Sequence, residues 1–297
     1  MRILHFSDVH LPARLLSIPF KDWMGKRMIG GANLFLGRAR KFADGQKKLV
    51  ALDRFRRELE VDLVICTGDY TSLGTRAELR DARKAVEPLM QAPLGYVNLP
   101  GNHDIYLFDV LRQKRWDESF GDTLDTDLPH YLVDGEPWPF VRLVGDEVAV
   151  VGVNSARPNP QPWRSSGKIP QRQLEVLERV LADGVLLGRF VFVITHYAPR
   201  AEDGAPDRRL HGLVNADEFL AVCSDLSRGA ILCGHIHRRY MVRTEGVKPP
   251  IFCAGSVTKA GDEAFWLFDV DGGQARAIPG VWRDGGYALD PSAAVHV

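Results

Sequence analysis

The sequence predicts an α/β fold in which helices pack outside a pair of stacked sheets. Three observations point there. Short β-rich runs alternate with helical stripes in the N-terminal part and give way to a strand-rich C-terminal part. The runs tend to end in polar clusters, which puts functional groups on strand-end loops. An apolar content of 45% in 297 residues is enough for a large core, and with 26% charged residues it excludes a disordered chain. The formal charge of +0 gives no bulk basicity for nucleic acid, although a local basic patch is compatible with it.

The elements follow in order. Residues 3–6 read as a strand leading into Ser7-Asp8-Val9-His10. Leu49, Leu52, Phe55 and Leu59 form a helical stripe, after which residues 63–67 form a strand ending in Gly68-Asp69. Thr75 and Glu78 make a capping box for a helix carrying Leu79, Ala82, Val86 and Met90. A strand at 96–99 leads to Pro100-Gly101-Asn102-His103-Asp104, and 107–140 reads as an insertion with one helix around 108–116. A strand at 148–154 precedes a long loop at 155–170 rich in Pro, Ser and Arg, then a helix marked by Leu174, Leu177 and Leu181. The strand at 190–195 leads to His196. Phe219, Leu220 and Val222 mark a helix that Asn215 is placed to cap. Residues 230–233 lead to Gly234-His235-Ile236-His237, and strands follow at 241–244, 251–254, 265–270 and 275–278. With no repeat or linker, 1–297 is expected to be one domain with insertions at about 11–45 and 107–140.

The start, MRILHFSD, has a strand pattern in place of a signal sequence, and the apolar run at 28–36 falls well short of the roughly 20 residues a membrane crossing needs. Cytoplasm is the expected location. Cys66, Cys223, Cys233 and Cys253 form no C-x-x-C pair and read as buried free thiols.

Singly, each polar cluster is a common turn or a lone histidine. Together, Asp8, His10, Asp69, Asn102, His196, His235 and His237 offer carboxylates, an amide oxygen and imidazoles, a mixed O and N set suited to Mn, Fe or Zn. In extended chain, residues i and i+2 face the same way, so Asp8 with His10, and His235 with His237, are expected to aim two ligands at one place. Burying so many ionisable groups without a cation would cost several kcal/mol for each uncompensated charge.

These blocks, Asp8-x-His10, Gly68-Asp69, Gly101-Asn102-His103-Asp104, His196 and Gly234-His235-x-His237, resemble the five ordered blocks of the calcineurin-like metallophosphoesterase family. The resemblance runs from residue 3 to about 270. It implies a four-layer α/β/β/α sandwich and two divalent metals, with manganese favoured. Asp8, His10, Asp69 and His237 would hold one metal, and Asp69, Asn102, His196 and His235 the other. Such a pair acidifies a bridging water to hydroxide for attack on phosphorus. By the same resemblance His103 would protonate the leaving oxygen or stabilise the phosphoryl oxygens, with Asp104 orienting it.

Gly68-Asp69-Tyr70-Thr71-Ser72 lacks the second Asp and the Arg of the phosphoprotein phosphatases, and the blocks look closer to bacterial phosphodiesterases of the cyclic-nucleotide type. The lipid-A enzyme that cleaves UDP-diacylglucosamine carries Arg at the place of His103 in its best-known form. A calcineurin-like form with histidine there and a basic, apolar insertion after the first block is more similar. The expected substrates are therefore a nucleotide-lipid such as UDP-diacylglucosamine or a cyclic nucleotide; a nuclease or a silent scaffold ranks lower, and there is no strong nucleic-acid signal.

The stretch IPFKDWMGKRMIGGANLFLGRARKF, residues 18–42, would sit on the rim of the metal cleft. One reading lays it at a bilayer interface at the inner face of the membrane, with Lys21, Lys26, Arg27, Arg38, Arg40 and Lys41 near anionic headgroups and Trp23, Met24, Met28, Leu34 and Phe35 partly inserted. The other packs it on the body with a solvated basic face. Gly25, Gly30, Gly31 and Gly37 argue against a long helix there. Arg157, Arg164, Arg200, Arg208, Arg209 and Arg238 are candidates for binding a second phosphate or a nucleotide.

Overall fold

The computed structural model describes residues 1–11, 18–23, 25–133 and 135–297, without the side chains of Lys21 and Arg38; Met24 lies outside the described residues. Two sheets form the centre. In the first, β1 (Arg2–Phe6), β2 (Leu63–Cys66) and β3 (Tyr96–Asn98) run parallel. The second joins β4 (Phe140–Val144), β5 (Val148–Gly152), β6 (Phe190–Tyr197), β7 (Gly229–Gly234), β8 (Arg239–Thr244) and β9 (Val247–Ala254) in the order β4-β5-β6-β7-β9-β8. The chain then returns to the first sheet through β10 (Ala264–Asp271), β11 (Gln274–Arg283), β12 (Gly286–Leu289) and β13 (Val295–His296), giving β12-β11-β10-β1-β2-β3 with β13 on β11.

Strand alternation builds the layers. On β10, Trp266 and Phe268 meet Phe252 at 5.1 Å between ring centroids, and Phe192 of β6 meets Phe268 at 5.1 Å; these contacts form the interior between the sheets. Phe265, one residue out of phase, turns to the opposite face and meets Phe55 of α2 (Gly45–Glu58) at 5.0 Å. Leu79 and Ala82 of α3 (Arg76–Val86) join this outer layer, and α3 starts at the expected Thr75–Glu78 capping box. On the far side, α6 (Gln171–Leu181) and α7 (Ala216–Cys223) bury Leu174, Leu177, Phe219 and Leu220 against Val191 and Val193 of β6. The result is the four-layer α/β/β/α sandwich, and all four cysteines are buried free thiols.

Local differences have local causes. The side-chain amide of Asn215 does not cap α7; it bonds the backbone N–H and C=O of Ile169 instead. The single helix expected around 108–116 is two, α4 (Phe108–Arg112) and α5 (Arg115–Phe120), broken at Lys114, whose φ of 47° is left-handed.

Residues 18–42 contain α1 (Lys26–Phe35). Gly31 permits it, because a Cβ there would lie 2.3 Å from the Trp23 ring; the glycine serves close packing, where the sequence suggested a break. Ile18, Leu34, Leu73 and Tyr106 form a small core beneath the helix, with Trp23 packed on it. Arg27 donates two bonds to Asp109 at 2.6 and 2.9 Å and one to the Leu73 carbonyl. Buried Arg115 lies 3.0 Å from Asp109 and 3.2 Å from Asp22. The chain Arg27–Asp109–Arg115–Asp22 thus ties this segment to α4 and α5. Lys26, Arg27, Trp23 and Leu34 face inward, not toward headgroups or lipid. Met28, Ala32, Phe35 and Leu36 are exposed at i, i+4, i+7 and i+8, so the outward face carries an apolar stripe. No helix among the described residues is long and apolar enough to cross a membrane.

Candidate metal centre

The C-terminal ends of β1, β2, β3, β6 and β7 meet at one edge of the sandwich. His196, still within β6, falls in phase with Phe192 and Ile194 and so points between the sheets. The other ligand candidates lie on the loops just beyond the strands. Asp8, His10, Asp69, His235 and His237 all have positive φ, from 40° to 70°, and supply five of the eight non-glycine residues of that kind among those described. Extended alternation therefore does not pair Asp8 with His10 or His235 with His237. Left-handed turns do, held at the first site by the N–H groups of Asp8, His10 and Leu11 on the carbonyls of Gly68, Asp69 and Tyr70.

The structure brings all seven predicted ligands together. Asp8, His10, Asp69 and His237 form one group of converging donor atoms, and Asp69, His196 and His235 another. Asn102 Oδ1 completes the second, 3.1 Å from His196 Nε2 and 2.9 Å from His235 Nδ1. Asp69 joins the two through Oδ2, 3.5 Å from His10 Nε2 and 3.4 Å from His196 Nε2, while its Oδ1 accepts the His103 N–H at 2.7 Å. A Cβ on Gly101 would stand 2.1 Å from that Oδ1, so the approach of the two loops requires glycine.

Carbonyls choose the tautomers. His10 Nδ1 donates to Thr71 at 2.9 Å and His196 Nδ1 to Thr67 at 2.7 Å, which directs the Nε2 lone pairs inward. His235 is turned round: its Nε2 donates to the His211 carbonyl at 3.1 Å and its Nδ1 faces the centre.

The donor set fits a pair of divalent cations. His10 Nε2 and His237 Nε2 lie 2.9 Å apart, and the buried Asp8 Oδ1 makes no hydrogen bond. Both arrangements are expensive for groups that serve only one another. Against the cost of burial, His237 and His10 hold the Asp8 carboxyl well below the usual carboxylate range, and His196, His103 and His10 do the same to Asp69. Burial opposes charge on His196, yet Asp69 pushes it up to about 9. The carboxylates draw positive charge into the centre.

His103 lies on the cleft wall, with its ring edge-on to His10 at 4.8 Å and Nδ1 bonded to the Ser72 carbonyl at 2.6 Å. That bond fixes the ring on the wall. Asp104 does not orient it. That carboxylate is fully buried and accepts the N–H groups of Asp69, Tyr70, Thr71 and Gly101, so it shapes the two ligand loops.

The sequence matches the calcineurin-like phosphoesterase profile over residues 1–239. The chain belongs to that family. It is accordingly a hydrolase of phosphoester bonds. The fold resembles that of a dimetal phosphatase from Danio rerio, with a TM-score of 0.60 at 14% identity over 94% of this chain and 95% of the other. It also resembles a purple acid phosphatase from yellow lupin (Lupinus luteus) seeds, with a TM-score of 0.61 at 11% identity, covering 100% of this chain and 53% of that one. Among curated proteins, none matches the sequence.

In this phosphoesterase the cleft over the centre holds about 420 Å³ and is lined by Lys26, Ile29, Tyr106, Trp163, Arg164, His211 and Lys259 among others. None of Arg157, Arg200, Arg208, Arg209 and Arg238 lines it. Arg157 is occupied by Ser166, Arg200 by Asp217, and Arg238 lies 3.4 Å from Glu202 in an adjoining hollow that it shares with His237. Sequence reading placed Lys26 at headgroups and passed over Tyr106, Trp163, His211 and Lys259, for which only proximity in the fold is a signal.

Proposed function

We propose that this centre hydrolyses a phosphodiester or pyrophosphate bond in an amphiphilic substrate, with a nucleotide-lipid such as UDP-diacylglucosamine first and a cyclic nucleotide second. The observation that carries the hydrolytic reading is Asp69 Oδ2, set between His10 and His196 at nearly equal distances. Asp8, His10, Asp69 and His237 would hold one cation and Asp69, Asn102, His196 and His235 the other, with manganese favoured. Bound there, the two cations would supply Lewis acidity to the phosphoryl oxygens and an acidified water for attack. His103 delivers a proton to the departing oxygen, held in place by Ser72.

The amphiphilic part of the proposal is supported by α1. It carries Ile29 into the lining of the cleft, which Trp163 shares, and turns Met28, Phe35 and Leu36 to solvent, with Phe35 and Leu36 more than three-quarters exposed. Such a face beside a phosphate site suits peripheral contact with an anionic membrane, Arg40 and Lys41 adding charge at its end. The test is turnover of UDP-diacylglucosamine in mixed micelles, cyclic AMP and a small phosphomonoester, side by side with Mn present. Preference for the lipid is expected. Equal or better turnover of cyclic AMP would favour the second reading, and absence of any turnover with Mn would refute the hydrolytic one.

A further inference from the structure

Among the described residues the fold buries five lysine and arginine side chains, Lys26, Arg27, Lys48, Arg56 and Arg115. Arg27 pairs with Asp109, Lys48 with Glu263 at 2.6 Å, Arg56 with Asp53 at 2.8 Å, and Arg115 with Asp22 and Asp109. Lys26 has no such partner among the described residues. Its Nζ donates to the Arg164 carbonyl at 2.9 Å and stands 4.7 Å from the centre of the Tyr106 ring. A buried ammonium held only by a carbonyl and a ring face is costly unless an anion arrives to meet it. Burial accordingly brings its pKa down to about 8, with the nearby charge of Asp69 acting the other way.

The place where an anion can arrive is the cleft, whose wall Lys26 shares with Asp69, Asn102 and His103. We propose that Lys26, brought in by α1, forms a second anion subsite beside the metal centre and takes the second phosphate of a diphosphate-linked substrate. This rests on the hydrolytic reading and narrows it: a pyrophosphate bond, flanked by two phosphoryl groups, uses both subsites, and a simple phosphodiester uses one. The carbonyl of Arg164 and the Tyr106 ring hold the ammonium in place, which leaves donor capacity for a phosphoryl oxygen.

Isothermal titration calorimetry on the Mn-loaded protein, with ADP and AMP as probes, tests this. The wild type is expected to bind ADP at least about tenfold more tightly than AMP, the scale of one charge-assisted hydrogen bond. In Lys26→Gln and Lys26→Met that ratio collapses toward one, whereas Lys26→Arg retains part of it. Melting temperature and Mn content establish that each variant is folded and loaded. A wild type with no preference for ADP, or a folded variant with the wild-type ratio, overturns the proposal. Hydrolysis of bis-p-nitrophenyl phosphate on the same samples reads the catalytic centre separately: turnover without an ADP preference removes the subsite alone, and an ADP preference without turnover removes the hydrolytic reading alone.

Discussion

The backbone N–H of His103 donates to Asp69 Oδ1 across 2.7 Å. One oxygen of the shared carboxylate is thereby fixed by the loop that carries the proposed acid, and the other is left between the two ligand groups. Replacing Asp69 by Asn keeps the shape but loses the charge and one oxygen. Activity with Mn is expected to fall by more than about 100-fold, since even outer-shell changes cost 10- to 100-fold, and metal analysis should show lowered Mn content. Retained turnover would contradict the bridging role.

His103→Asn should separate leaving groups. General acid catalysis contributes about 10²- to 10⁴-fold when the departing oxygen needs a proton. An alkyl phosphodiester should lose activity on that scale, and a p-nitrophenyl ester, which leaves without help, much less. Equal losses would assign His103 to phosphoryl binding.

His5 gives a pH dependence of stability. It is fully buried, with Nε2 bonded to Thr67 at 3.1 Å and Nδ1 unbonded, and burial, partly offset by Asp8, lowers its pKa to about 3. Between that value and 6.5 the unfolded chain binds the proton and the native state does not. Its contribution is therefore complete above pH 6.5 and is lost as pH falls, by about 2 kcal/mol near pH 5 at about 1.4 kcal/mol per pH step. Urea midpoints for wild type and His5→Phe at pH 7.5 and 5 should show the variant to be less acid-sensitive.

Arg115→Met should destabilise the fold by about 3 kcal/mol, because it leaves Asp22 without its buried cation. Denaturant unfolding measures the loss. An unchanged midpoint would mean that Asp22 is already solvated.

Met28→Ser, Phe35→Ser and Leu36→Ser combined should abolish sedimentation with anionic vesicles and leave hydrolysis of bis-p-nitrophenyl phosphate intact, since these side chains face solvent. Vesicle binding equal to wild type would remove the membrane reading.

The residue types of the centre were legible in the sequence, because carboxylate, amide and imidazole at strand ends have few joint uses. Its backbone was not. Alternation predicts an extended Asp8-Val9-His10, whereas the neighbouring loop at Gly68–Asp69–Tyr70 holds it in left-handed turns. Arginine roles were illegible for a related reason: Arg200 is a phosphate candidate until the fold sets Asp217 against it. The outward stripe of α1 was present in the spacing of Met28, Ala32, Phe35 and Leu36. Gly31, which serves the packing of Trp23, and Gly30, which lies against Leu73 and Tyr106, concealed it.

The ion chain Arg27–Asp109–Arg115–Asp22 bears on transplantation. It joins segments 93 residues apart in sequence, from Asp22 to Arg115. Residues 18–42 are therefore not a cassette. Grafting them alone onto another phosphoesterase would strand Asp22 and Arg27, so a transfer of this segment has to move α4 and α5 as well. In descent, too, residues 18–42 and the α4–α5 segment are expected to change together.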